Sequence, residues 1–156
     1  QSDLHFVEIK NKNNKSLTVK KRIKTPEHVS LLDDSCEKFY HKNAIVNDAE
    51  LKPKLWVNYS RITLVNKNQP ERLTLDIHLH FVNDEHTIPY DSIVIAELKQ
   101  EKRQNSVFKS LMKEFSIREK SISKYCLGIV SLYPEVKQNN FKPILLTLNK
   151  ICNEQI

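Results

Sequence analysis

Glu71-Arg72-Leu73-Thr74-Leu75-Asp76-Ile77-His78-Leu79-His80-Phe81-Val82 is the stretch that decides the fold. Leu73, Leu75, Ile77, Leu79 and Phe81 recur at every second position, and Arg72, Thr74, Asp76, His78 and His80 stand between them. A period of two belongs to a β-strand, because successive side chains leave a strand on opposite faces. The stretch therefore predicts a strand with one apolar face and one polar, charged face. Before it, Lys67-Asn68-Gln69-Pro70 is a turn signal, and Leu55 to Asn66 (LWVNYSRITLVN) is a second strand, so the two form a β-hairpin.

The same pattern extends outward. Leu4 to Lys12 and Ser16 to Lys24 both alternate, and the turn Asn13-Asn14-Lys15 between them predicts another hairpin. Ile93 to Gln100 reads as a fifth strand, bounded by Pro89 and Asp91. Helical spacing appears from Glu27 to His41, from Asn105 to Lys120 and from Pro143 to Cys152. The polar stretch up to Lys54 reads as loop or short helix, and Ser121 to Val130 is ambiguous. Trp56 and the stripe Phe108, Leu111, Met112 and Phe115 are expected in the core. The expectation is a single α+β domain over residues 1–156, rich in antiparallel β-structure.

Strand parity sorts the charges. Glu8, Lys10 and Lys12 share one face, as do Thr18, Lys20, Arg22 and Lys24, and Tyr59, Arg61 and Thr63. Arg72, Thr74, Asp76, His78 and His80 form a fourth set, Glu97 and Lys99 a fifth. On one strand such a face is ordinarily the solvated side of an antiparallel sheet. Five strands with a basic excess point further, to a sheet closed into a barrel with this face inside. Guanidinium forks and ammonium point charges there suit a polyanion, and carboxylates would hold a divalent metal that bridges to phosphate.

Composition narrows the partner. The net charge is +6, which favours an anion. The single glycine, Gly128, excludes glycine-loop phosphate sites, so side chains must bind any phosphate. Cys36, Cys126 and Cys152 form no CxxC pair, which argues for reduced thiols in a cytoplasmic setting. No apolar run approaches the roughly 20 residues of a membrane helix. His78 and His80 share a strand face but lack a third metal ligand in the sequence pattern. The basic run Lys99 to Arg103 has no aromatic platform beside it, so nucleic acid is not expected as a partner.

Six short motifs then occur in order: Phe6-Val7-Glu8-Ile9-Lys10, Val19-Lys20-Lys21-Arg22, Tyr59-Ser60-Arg61, Arg72-Leu73-Thr74-Leu75-Asp76, Ala96-Glu97-Leu98-Lys99 and Ser123-Lys124-Tyr125. In order and approximate spacing this set resembles the VTC domain, the polyphosphate-polymerising part of the vacuolar transporter chaperone complex and its bacterial relatives. It also resembles the wider triphosphate tunnel metalloenzymes, or CYTH-like proteins. The resemblance implies an antiparallel β tunnel or barrel with helices packed outside. In it, ATP binds with Mn²⁺ or Mg²⁺, and its terminal phosphoryl group passes to inorganic polyphosphate.

Carried over motif by motif, Lys10, Lys20, Arg22, Arg61, Arg72, Lys99 and Lys124 would bind phosphate, with Lys20, Arg61, Arg72 and Lys124 at the reacting centre. Glu97 would be the metal carboxylate, and Glu8 would assist the metal or order Lys10. Parity with Arg22 favours Lys20 over Lys21 as the inward residue. In the family, a strand bearing tyrosine and lysine and an Arg-x-Arg strand precede the first of these motifs. The chain is therefore expected to be the C-terminal part of a longer domain whose tunnel is incomplete here. Two other functions stay open at this point: a tunnel triphosphatase that uses water as acceptor, and a non-catalytic polyanion-binding module.

Overall fold

The computed structural model describes residues 3–12, 18–45, 51–102 and 104–153, with the backbone alone at Lys12. The Asn13-Asn14-Lys15 turn, Arg103 and part of the polar stretch before Lys54 lie outside the described residues. The chain forms two compact units, Gln1–Pro53 and Lys54–Ile156.

In the first unit, β1 (His5–Lys12) and β2 (Thr18–Thr25) pair antiparallel, with Glu8 opposite Arg22 and Lys10 opposite Lys20. One face of this ribbon carries those charges. The other carries Val7, Ile9 and Ile23 together with Asn11 and Lys21, and it is tied to α1 (Asp34–Asn43). Asn11 donates to the Asn43 carbonyl at 3.0 Å, and Lys21 Nζ donates to Asn43 Oδ1 at 2.9 Å. Lys21 thus serves the helix, and Lys20 stands on the charged face, as parity requires.

The α1 helix begins later than the periodicity from Glu27 predicts. Asp33 is extended and its carboxylate accepts from the Cys36 N–H at 2.7 Å. That bond satisfies one of the orphan donors of the first turn and fixes the start of the helix there.

The second unit is built on a four-stranded antiparallel sheet. Its members are β3 (Trp56–Val65), β4 (Glu71–Val82), β5 (Thr87–Tyr90) and β6 (Ile95–Gln100). Along one edge of β4 runs β3; along the other, β6 pairs with residues 71–76 and β5 with residues 79–82. The fold is α+β with antiparallel sheets, and neither sheet closes on itself among the described residues. The short β5 was not anticipated. Its Pro89 lies opposite His80 at the sheet edge, where a missing backbone donor is tolerated.

The alternation that marked β4 breaks in the middle. Asn58 pairs with His80 and Ser60 with Ile77, so β4 holds one residue more than β3 over this interval. His78 takes a φ of 53° there, the left-handed conformation of a β-bulge. Buried positions consequently switch from even (Thr74, Asp76) to odd (Leu79, Phe81). His78 and His80 do not extend the Arg72–Asp76 face as strict period two predicts; Leu79 and Phe81 take it over.

On that apolar half lies the core: Leu79, Phe81 and Ile93 with Leu127, Val130 and Leu132 of α3 (Lys124–Leu132) and Leu148 of α4 (Lys142–Asn153). Gly128 is the close approach between α3 and the sheet, since a Cβ there would lie 2.6 Å from a Phe81 ring carbon. Phe81 meets Tyr90 edge to face at 5.6 Å, and the Tyr90 hydroxyl bonds Ser131 Oγ at 2.9 Å.

Two core expectations fail. Trp56 is 52% exposed, and α2 (Val107–Glu114) buries none of its residues, with Phe115 just beyond it 67% exposed. The α2 helix also ends short of Lys120. Ser116 has a φ of 57°, its N–H reaches the Lys113 carbonyl at 3.0 Å, and the Ile117 N–H reaches Met112 at 2.8 Å. This is the left-handed helix stop usually made by glycine, here made by serine.

Candidate functional site

The site in the second unit starts from register. Residues directly opposite each other in an antiparallel pair share a face. Arg61 faces Asp76 across β3 and β4; Thr63 faces Thr74, which faces Glu97 on β6; Arg72 faces Lys99. Arg61, Arg72, Glu97 and Lys99 therefore stand on one side of one sheet, in rows about 7 Å apart. Lys124 comes to the same side from the first turn of α3. Ser123 caps that helix by accepting from the Cys126 N–H at 3.3 Å, so Ser-Lys-Tyr is a helix start whose lysine points at the sheet. Tyr125 is exposed.

Asp76 organises this face. It is 1% exposed, and both of its oxygens are engaged. Arg61 Nε donates to Oδ1 at 2.6 Å and Nη2 to Oδ2 at 2.8 Å, while Lys124 Nζ lies 2.5 Å from Oδ2. Burial pushes the Asp76 carboxyl up, but the bonds from Arg61 and Lys124 and their charges outweigh it and hold the carboxyl below its ordinary value. The hydrogen bond to Asp76 in turn raises the Arg61 guanidinium, against the pull of burial. Tyr59 backs both cations: its ring centre is 5.1 Å from Arg61 Cζ and 4.9 Å from Lys124 Nζ.

Further along the face, Lys99 Nζ lies 3.2 Å from Glu97 Oε1, with both side chains about half exposed. Arg72 is exposed beside them. These three belong to the same face as the Asp76 cluster but occupy its next rows.

The first unit has its own charged face. Glu8 binds Lys10 at 3.2 Å and also binds Lys20 through its other oxygen, and Arg22 stacks 4.8 Å over the Phe6 ring. Glu8 thus orders two lysines.

Among the described residues, no group of three or more His, Cys, Asp and Glu side chains converges on a point. The donor set does not make an all-protein metal cage. It fits the other mode of Mg²⁺ and Mn²⁺ binding, in which one accessible carboxylate shares the ion with substrate phosphates. Glu97 offers such a carboxylate, since it is about half exposed and its described ion pair, to Lys99, uses Oε1, whereas both oxygens of Asp76 and of Glu8 are engaged by cations.

Sequence reading missed the role of Asp76. Its signal was present in Arg-x-Thr-x-Asp, where an acid on a basic face opposes an arginine once the hairpin register is set.

The second unit is thus an antiparallel sheet with arginine and lysine from adjacent strands on one face, where Arg61 of a strand and Lys124 of a helix are tied to one buried carboxylate. The chain belongs to the VTC domain family, whose model matches residues 1–133. That span takes in both hairpins, β5, β6 and α3, and membership supports a polyphosphate-related function. Comparison with the curated proteins and with the solved structures gives no match.

Proposed function

We propose that the chain is part of a polyphosphate polymerase that passes the terminal phosphoryl group of ATP to a growing inorganic polyphosphate chain. The observation that carries this reading is the register of the second unit: Arg61 stands in one row of one face with Lys124 delivered to it, and Arg72 and Lys99 stand opposite each other two rows further on, beyond the row that holds Glu97. An extended anion of repeating phosphate units is the ligand such a ladder of cations suits. Lys10, Lys20 and Arg22 have the same task on their own hairpin. Glu97 would hold Mn²⁺ or Mg²⁺ together with the phosphates, and the ion would neutralise charge on the transferring group.

In this reaction a terminal oxygen of the acceptor chain attacks the γ-phosphorus. A new P–O bond forms, the bond to the β-phosphate oxygen breaks, and ADP leaves with that electron pair. The acceptor oxygen is already ionised, so no side chain has to remove a proton. What the residues must do is align the two anions and offset their repulsion, which is work for arginine and lysine. Free thiols at Cys36, Cys126 and Cys152 support a cytoplasmic setting, and no described helix is long and apolar enough to cross a membrane.

The test is to incubate the full-length protein with ATP and Mn²⁺ or Mg²⁺ and to separate long phosphate chains from free phosphate. Long chains support the polymerase; free phosphate alone replaces it with a triphosphatase; binding without turnover makes the domain a polyanion-binding module. Glu97→Gln should abolish metal-dependent turnover while leaving most of the affinity for phosphate chains.

A further inference from the structure

The carboxylate that draws Arg61 and Lys124 together is itself an anion, set where an anion is to bind. Charge alone makes it a liability: Arg61, Lys124 and Asp76 sum to +1, and without Asp76 the sum would be +2. Geometry offers a reason for its presence. Arg61 comes from β3 and Lys124 from the start of α3, and the described contact that joins their charged groups is Asp76, with the Tyr59 ring beside both. Two cations this close repel each other, and each sits on a long side chain with many rotamers. A buried acceptor that bonds both removes most of that freedom before any ligand arrives. Arg61 turns Nε and Nη2 towards Asp76, which leaves Nη1 directed away from the carboxylate.

We propose that Asp76 is a positioning residue that joins Arg61 and Lys124 into one preorganised clamp for the oxygens of a phosphate chain. The inference rests on the polyphosphate reading and deepens it. Asp76 touches no phosphate; it acts through the two cations, and Tyr59 supports them from the side. Thr74, one row away on the same strand, is buried as well.

Positioning and charge predict opposite outcomes, so one substitution separates them. The full-length wild type, Asp76→Asn and Asp76→Glu are titrated with inorganic tripolyphosphate by calorimetry, well below their melting temperatures, with circular dichroism as a check of folding. Removing a negative charge should tighten anion binding if charge dominates. The clamp requires the reverse, a loss of about tenfold or more for Asp76→Asn. In turnover, the KM for ATP should rise together with a fall in kcat, because the clamp serves the transferring group and not binding alone.

Asp76→Glu keeps the charge and moves it by one methylene group; it should also weaken binding, by several-fold, and it decides the matter should the asparagine variant not fold. Equal or tighter binding by Asp76→Asn, or by Asp76→Glu in its place, overturns the proposal. A wild type that does not bind tripolyphosphate overturns the polyphosphate reading instead.

Discussion

Asp76 is 1% exposed, and the Arg61 it holds is 39% exposed. The pair is thus buried at its acidic end and wet at its basic end. Removing the carboxylate leaves a guanidinium that water can still reach, so Asp76→Asn should cost about 1–3 kcal/mol at neutral pH, less than for a wholly buried pair. The folded-state carboxyl lies below its ordinary value. Its contribution is therefore complete above the unfolded value of about 4 and is lost as pH falls through the folded value. Urea unfolding at pH 7 and at successively lower pH below about 4 should show the gap between the wild type and Asp76→Asn narrowing as acid is added; a constant gap would refute the linkage. Arg61→Lys keeps the charge and gives up the fork, and should weaken tripolyphosphate binding about tenfold. At this scale the sequence was legible in part. Parity and motif order picked out Arg61 and Lys124, but the bond between them runs from one strand to another and on to a helix. Such contacts have no local period.

Elements show where periodicity succeeds and where it misleads. The bounds of β4 follow from alternation, yet the sides its residues take do not, because one bulged residue reverses parity after Asp76. The α2 and α3 helices invert expectation in another way. The helix with the stronger apolar stripe buries no residue, while the segment whose pattern is ambiguous becomes the core helix, since a helix apolar on most sides carries no clear stripe.

Two substitutions test this level. Gly128→Ala drives a methyl into Phe81 and Leu55, and should destabilise by about 1–3 kcal/mol in denaturant titration, with partial recovery in the double variant Gly128→Ala/Phe81→Leu. His78→Val puts a β-branched side chain at a φ of 53°. It should cost at least about 1 kcal/mol, whereas His80→Val, whose φ is not positive, should cost less.

For the whole molecule, the basic excess was readable at once and the α+β class nearly so. Closure was not. A barrel follows from charged faces only if strands meet edge to edge, and no residue pattern within a strand specifies its far neighbour. The net charge of +6 gives a separate expectation. Polyphosphate binding should weaken with salt along a straight line in logarithmic coordinates, and Arg72→Gln should lower the slope by about one by removing a single ion contact. An unchanged slope would take Arg72 out of the anion path.

The single inserted residue at His78 lets one face of one sheet be charged at one end and oily at the other. The two halves are continuous: the strand that carries Asp76 becomes, a few residues on, the strand that carries Phe81 against α3, and α3 carries Lys124 back to Asp76. If a phosphate chain grips the cationic end as proposed, it should brace the hydrophobic end as well. The resistance of this unit to heat would then rise with the concentration of that anion.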